Sequence, residues 1–507
     1  MKRSMLSAGA AVSVLVALLV PPATAAVGVD TQELRDAVTL EGIREHQAAL
    51  QAIATANGGT RASGTPGYEA SVGYVVDTME DAGYDVTTQE FTYDQWSETA
   101  DPVFEQVSPN PTTYVGGTDF ATMEYSGSGD VTAALEAVDL VLPPGASANT
   151  STSGCEASDF AGFTSGNVAL IQRGACTFAL KAQNAEAAGA TAAVIFNEGQ
   201  PGRDGLLNGT LGGPGIGIPV LGTTFALGND LAAAVASDPV TVHVFTETQV
   251  VPTTTWNVLA DTSGGRTDRV VLAGAHLDSV PEGPGINDNG SGSATILEIA
   301  EEMAELGIEP RNTVRFAWWG AEESGLLGSE HYVGQLTKRE TKDIALNLNL
   351  DMVGSPNFVR FVYDGDGSDT PVKGPTGSAQ IEDVFLDYFA DMDLPTEPTA
   401  FDGRSDYGPF IAVGIPAGGL FTGAEGIKTA EQVEIYGGTA GEQFDPCYHL
   451  ACDTFDNNSD EALDQMSDAA AHAVLTFAMT SSAVPGTGRG RGNAFGLLEF
   501  DGSLAQL

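Results

Sequence analysis

The stretch VVLAGAHLDSVPEGPGIND, residues 270–288, decides the fold. Apolar and small residues run up to His276, Asp278 stands two further on, and Asp288 follows in a Gly-rich loop. A short apolar run, rather than an alternation, is the pattern of a strand buried on both faces of a parallel sheet. In an open α/β sheet the chemistry gathers just beyond the carboxyl ends of the strands. A histidine followed by carboxylates at such an edge is a candidate metal site, and the chain can be searched outward for its partners.

Downstream strand ends and loops carry Glu322-Glu323, Asp351 and, between Cys447 and Cys452, His449. Imidazole and carboxylate together suit zinc, which accepts both without demands from d-electrons. Three carboxylates and two histidines exceed what one catalytic zinc takes, since such an ion keeps an open position. They suit two ions sharing a bridging carboxylate, which lower the pKa of a water and polarise a carbonyl. A further carboxylate off the metals is then needed as base, and neighbouring glutamates diverge enough to divide these parts. Taken singly, each group has a plainer reading: a hydrogen-bonded strand end, or a solvated helix start for Glu322-Glu323. Asp351 is the exception, because it ends the apolar run IALNLNLDMVG, where an unpaired carboxylate costs several kcal/mol. Asn289-Gly-Ser is a glycosylation sequon on pattern, but a glycan beside Asp288 would block the site.

The bulk properties narrow the class. The 507 residues suggest two to three domains, and 42% apolar content is ample for packed cores. With 68 acidic against 21 basic residues the net charge is -47, which argues against nucleic acid or an anionic membrane as partner. Residues 1–25 have the form of a secretory signal: Lys2 and Arg3, an apolar Val12–Val20, then Ala23-Thr24-Ala25 at the cleavage point. No later segment is long and apolar enough to span a bilayer. Export to an oxidising compartment fits disulfides among Cys155, Cys176, Cys447 and Cys452. Four cysteines allow three pairings, of which proximity favours 155–176 and 447–452; a zinc on four thiolates is the other reading, without a C-x-x-C to support it.

In chain order, residues 34–54 read as one helix, RASGTPG (61–67) as a turn, 68–82 as a second helix and 84–93 as a strand. From about 105 to 250 the chain is rich in Gly, Ala, Ser and Thr, with short β-branched runs and one helix over 177–188. GNVALIQRGACTFALKAQNAEAAGATAAVIFNE (166–198), followed by GIPVLGTT, resembles a protease-associated (PA) domain. Its His243 lies in a strand pattern and reads as structural. Residues 256–483 alternate strands (269–276, 312–319, 344–352, 358–364, 416–422) with helices (290–306, 326–336, 378–391, 460–482). Residues 484–507 read as a loose tail.

AHLDSV, GINDNGSG, WWGAEESGLLGSEHYV, NLNLDMVG, FDGRSDYGPF, GGLFTGAEGIKT and FDPCYHLACDT together resemble secreted di-zinc aminopeptidases of the M28 family, the Streptomyces-type leucine aminopeptidases most of all. The resemblance implies an α/β fold: a mixed, largely parallel sheet flanked by helices, with an inserted β-rich PA domain. The division expected is signal 1–25, first part of the peptidase domain 26–104, PA domain 105–250, peptidase domain 251–483 and tail 484–507. Position by position, it implies two Zn2+, one on His276 and Asp351, the other on Glu323 and His449, with Asp288 bridging. Glu322 matches the general base, and Tyr448 the donor to the tetrahedral oxyanion. Asp278 is placed to orient the His276 ring, and the peptide after Asp288 is cis in relatives.

The substrates implied are peptides with a free N-terminus and a large apolar first residue. Arg404 matches a position near the substrate's ends, as do Glu322 and Asp351; Met352 and Phe421 match the pocket walls. Arg404 also has the reading of a surface ion pair with Asp402 or Asp406. Asp464 and Asp468, one helical turn apart, are candidate Ca2+ ligands, although N-terminal partners for them are not evident. The expectation is a secreted monomer; the alternatives are a carboxypeptidase or dipeptidase of the same family, or a non-catalytic binding ectodomain.

Overall fold

The computed structural model describes residues 29–480, so the signal pattern of 1–25 and the tail of 484–507 lie outside the described residues. The strand Arg266–His276 lies in the middle of one sheet, buried from Arg269 to His276. Asn312–Trp319 and Ile344–Leu350 pair with it in parallel, one on each side, and Ala417–Phe421 continues in parallel beyond the latter. Phe361–Tyr363 then turns antiparallel, followed by Glu397–Thr399. At the other edge Thr241–Asp261 runs antiparallel to Asn312–Trp319. The mixed, largely parallel sheet expected from the sequence is therefore present.

Helices cover both faces, and successive residues on a strand supply them in turn. Trp318 packs into the larger core with Leu40–Ala56, Pro66–Asp81, Gly290–Glu305 and Asp460–Met479. Trp319 faces the opposite way, onto Tyr332 of Leu327–Gln335 and Phe410 of Tyr407–Ala412. Gly292 shows how closely these layers meet: a Cβ there would stand 2.2 Å from the Leu350 carbonyl oxygen. That close approach sets the start of Gly290–Glu305, and Asp288 before it, against the strand leading to Asp351.

Several expected elements differ. The helix expected over 34–54 is two, Gln32–Ala37 and Leu40–Ala56, because Thr39 interrupts it and caps the second by accepting from the Gly42 N–H at 3.1 Å. The strand expected to end at Tyr93 continues to Ser108, paired with Thr241–Asp261 along its length with bulges near Ala100. The first residues of Thr241–Asp261 also pair, on their other edge, with Gly129–Ala137, so the sheet runs on into the inserted module. The expected boundary at 105 falls within the strand that ends at Ser108. The inserted module has parallel strands at Val168–Gln172, Ala192–Phe196 and Val220–Thr223. It also has two helices where one was expected, Phe178–Ala187 and Phe225–Ser237. The second was legible as a Thr224 cap before an Ala-rich run.

Disulfides join Cys155 to Cys176 and Cys447 to Cys452, leaving no free thiol to ligate zinc. No helix among the described residues is long and apolar enough to cross a membrane. His243 pairs with Asp130 of the neighbouring strand Gly129–Ala137 at 2.9 Å.

Candidate metal centre

Five chain segments meet at one place. His276 is the last residue of its strand. Glu322 and Glu323 follow Trp319 after a turn in which Ala321 has a positive φ of 56°. Asp351 lies one residue past Leu350, where Met352 at φ 51° turns the chain; the strand is thus shorter than the 344–352 expected. Asp288 precedes Asn289, which caps Gly290–Glu305 through the Gly292 N–H. His449, at φ 57°, is presented by the loop that Cys447–Cys452 closes.

The contacts divide into two groups that share one residue. Nε2 of His276 stands 3.2 Å from Oδ1 of Asp288 and 3.3 Å from Oδ1 of Asp351. Nε2 of His449 stands 3.3 Å from Oδ2 of Asp288 and 3.1 Å from Oε2 of Glu323. The two oxygens of Asp288 thus face different histidines. A tetrahedral ion with bonds of about 2.0–2.2 Å sets its ligand atoms about 3.3–3.6 Å apart, so these four separations are close to the edges of two such polyhedra. Two oxygens in the cluster, Oδ1 of Asp351 and Oε1 of Glu323, are buried without a hydrogen-bond partner. Buried carboxylate oxygens need a cation or a donor, and the donor set here is that of a hard-to-borderline metal. The residues fit zinc.

The electrostatics agree. Burial opposes the charge on Asp288, yet His276 and His449 hold its carboxyl well below the usual range. Burial pushes Glu323 up to about 7 against the pull of His449. Burial also raises Glu322 well above its ordinary value, despite His276 nearby. His276 is raised although burial disfavours its charged form, because Glu322 and Asp351 outweigh it. His449 is the open side of the cluster, with its side chain 41% exposed against 1% for His276.

The profile of peptidase family M28 matches residues 257–474. An aminopeptidase of Pseudomonas aeruginosa is 49% identical over 437 residues, 86% of this chain and 80% of that protein. The chain belongs to peptidase family M28. The PA-domain profile matches residues 136–231 of this M28 member. A probable leucine aminopeptidase 2 of Aspergillus fumigatus is 40% identical over 84% of the chain and 80% of its own length. Among solved structures, an aminopeptidase from an Aneurinibacillus strain superposes with a TM-score of 0.72 at 28% identity, covering 90% of this chain and 97% of that one. The M28 chain is accordingly a metallo-aminopeptidase with a PA insertion.

Around the cluster of this M28 enzyme, Asp278 differs in detail from expectation. Its carboxylate accepts from the main-chain N–H of Glu322 at 3.2 Å and of Glu323 at 3.4 Å. Nδ1 of His276 is nearer its carbonyl oxygen (3.1 Å) than its Oδ1 (3.7 Å). One residue thus ties the histidine to the glutamate turn. The Asp288–Asn289 peptide is cis, and Asn289 is fully buried, donating to the Leu350 carbonyl, which removes the sequon as a glycan acceptor.

Four supporting groups were not singled out from the sequence. Asp453 accepts the N–H of Asn287 and of Asp288, both at 2.9 Å. Ser405 donates to Oδ2 of Asp351 at 2.5 Å. Arg61, fully buried, donates to the carbonyls of Leu277, Pro284 and Gly285 and so clasps both ends of the loop before Asp288. Burial pushes Asp406 up to about 8, against the pull of His276 and a hydrogen bond from Ser329. The one signal for Arg61 was its place in the RASGTPG turn; the others show only in three dimensions.

Arg404 pairs with neither carboxylate expected of it. Its Nη1 donates to Glu425 at 2.6 Å and its Nη2 to the Tyr448 hydroxyl at 3.2 Å. Tyr448 stacks on His449, ring centres 3.8 Å apart. Met352 and Phe421 come to neighbouring strand ends, where the Thr422 N–H donates to the Met352 carbonyl. Phe421 stacks on Phe361. Asp468 accepts from Tyr388 at 3.4 Å and lies within the field of Arg35. A cation is therefore already present beside the expected calcium ligands, and Asp464 and Asp468 join no third metal-binding side chain among the described residues.

Proposed function

We propose that this chain releases N-terminal residues from peptides using two zinc ions. His276 and Asp351 hold one, Glu323 and His449 the other, and Asp288 both. The observation that carries this is Asp288, which offers one oxygen to each histidine at 3.2 and 3.3 Å. Zinc bound there supplies Lewis acidity and an acidified water. Glu322, buried beside the cluster, takes the proton from the attacking water and returns it to the leaving amine. Burial raises the Tyr448 phenol well above its ordinary value, so it stays protonated. Its oxygen already accepts from Arg404, which leaves its own O–H to donate to the carbonyl oxygen under attack.

The surplus of carboxylates supports recognition of an α-ammonium group, for which Glu322 and Asp351 are nearest. Met352 and Phe421 give an apolar wall suited to a leucine-like first side chain. The signal pattern of residues 1–25 supports export. A carboxypeptidase reading would need a basic group free to hold a terminal carboxylate, and Arg404 is bound to Glu425.

The test is hydrolysis of leucine p-nitroanilide against its N-acetyl form, before and after chelation and zinc add-back. Cleavage of the free-amine compound alone, lost on chelation and restored by zinc, is expected. Equal cleavage of the blocked compound would overturn amine recognition.

A further inference from the structure

The Arg404–Glu425 pair stands beside Tyr448, at the open side of the centre. Arg404 reaches the Tyr448 hydroxyl at 3.2 Å. If Tyr448 meets the scissile carbonyl, the guanidinium stands one hydrogen bond beyond the group that holds that carbonyl, on the scale of one further residue of chain, ~3.8 Å. In a dipeptide that distance holds the terminal carboxylate. Guanidinium and carboxylate form strong, often bidentate pairs, so an unoccupied Arg404 would grip dipeptides through their C-terminus. Glu425 prevents this. Its Oε1 takes the Nη1 donor at 2.6 Å, and both side chains are nearly half-exposed, at 46% and 47%. Burial works against the charge on Glu425, but the hydrogen bond from Arg404 holds its carboxyl below the usual range. Glu425 is thus an anion at neutral pH, set where a second carboxylate would be repelled.

We propose that Glu425 sets the chain-length preference of this enzyme. By occupying Arg404 it denies dipeptides a carboxylate grip and turns the site toward peptides of three or more residues. This rests on the aminopeptidase orientation proposed above. A surface ion pair of this kind contributes little to stability, which makes a specificity role the more informative one to test.

The experiment compares Leu-Gly with Leu-Gly-amide, which differ only in the terminal carboxylate, on the zinc-loaded wild type, Glu425→Gln and the double variant Glu425→Gln/Arg404→Gln. The expected result is a ratio of kcat/KM, dipeptide over amide, that rises about tenfold in Glu425→Gln, the scale of one charge-assisted hydrogen bond. The double variant should lose that rise. A ratio unchanged in Glu425→Gln, or one that rises equally without Arg404, overturns the proposal. Should Gln at this position impair folding, Glu425→Ser gives the same comparison. Wild-type enzyme that cleaves neither compound with metal present would instead overturn the aminopeptidase orientation itself, and the two failures are distinct.

Discussion

Among the described residues, two clusters built around a buried histidine join it to carboxylates, and they have opposite characters. At His276 and His449 the Nε2 nitrogens lie 3.1 to 3.3 Å from four oxygens of Asp288, Asp351 and Glu323, and only Glu322 stands off, at 3.9 Å. At His46, between the helices Leu40–Ala56 and Gly290–Glu305, Nε2 lies 2.8 Å from Glu301 and 3.8 Å from Glu298. The first set is nearly uniform and close to the edge of a tetrahedral ion; the second is one hydrogen bond and one looser contact. Partners differ too. Oxygens of Asp351 and Glu323 are buried without a hydrogen bond, whereas Glu298 accepts the N–H and hydroxyl of Thr39, and His46 also meets the Tyr74 hydroxyl at 2.7 Å. Residue type alone would make both metal sites. Spacing and unmet valence separate them.

The separation is broken most directly by metal analysis. Wild-type enzyme should carry two zinc ions per chain; His276→Ala should lose metal and essentially all activity, and His46→Ala should retain both. Loss of an ion from His46→Ala, read by elemental mass spectrometry after dialysis, would make the second cluster a metal site as well. Next in size is the pair Glu322→Gln and Glu301→Gln. The first should lower kcat by about 10²–10⁴-fold with zinc content intact, the scale of general-base catalysis, and the second should not lower it. A decrease below tenfold in Glu322→Gln would move the proton transfer elsewhere.

The sequence made the proposed catalytic edge legible because its residues lie at strand ends, where an apolar run stops at a charged group. His276, Glu322-Glu323 and Asp351 all follow that rule. The supporting groups do not. Asp453 and Arg61 act through main-chain hydrogen bonds to a loop more than 150 residues distant in sequence, and hydrophobic periodicity carries no trace of such contacts. The same limit explains Glu425, since nothing in GAEGIKT indicates that Arg404 would reach it rather than Asp402 or Asp406 nearby. The break at Thr39 is local chemistry that a helical period overrides on paper, and the Glu298 carboxylate reinforces it from the neighbouring helix.

A smaller effect is expected in stability. His46→Ala leaves Glu298 buried beside the start of Leu40–Ala56 without its histidine. That should destabilise the fold by about 2 kcal/mol, below the cost of a fully buried pair because Glu301 keeps contact with water. A chemical denaturation midpoint unchanged from wild type would show that Thr39 alone satisfies Glu298.

The finest discrimination lies one step out from each histidine. Asp278 meets Nδ1 of His276 through its main-chain carbonyl, which alanine keeps, and braces the glutamate turn through its carboxylate, so Asp278→Ala should chiefly loosen Glu322 and the proposed zinc ligand Glu323. Groups that orient metal ligands typically carry 10–100-fold in metal affinity, and the variant should therefore recover activity in excess zinc. Tyr74 stands to His46 as Asp278 stands to His276, yet Tyr74→Phe should leave zinc affinity as it was, because no ion depends on that ring. A metal titration of the two variants separates an orienting role from a merely structural one: damaged packing lowers activity at every zinc concentration, whereas a displaced ligand shifts the concentration at which activity returns.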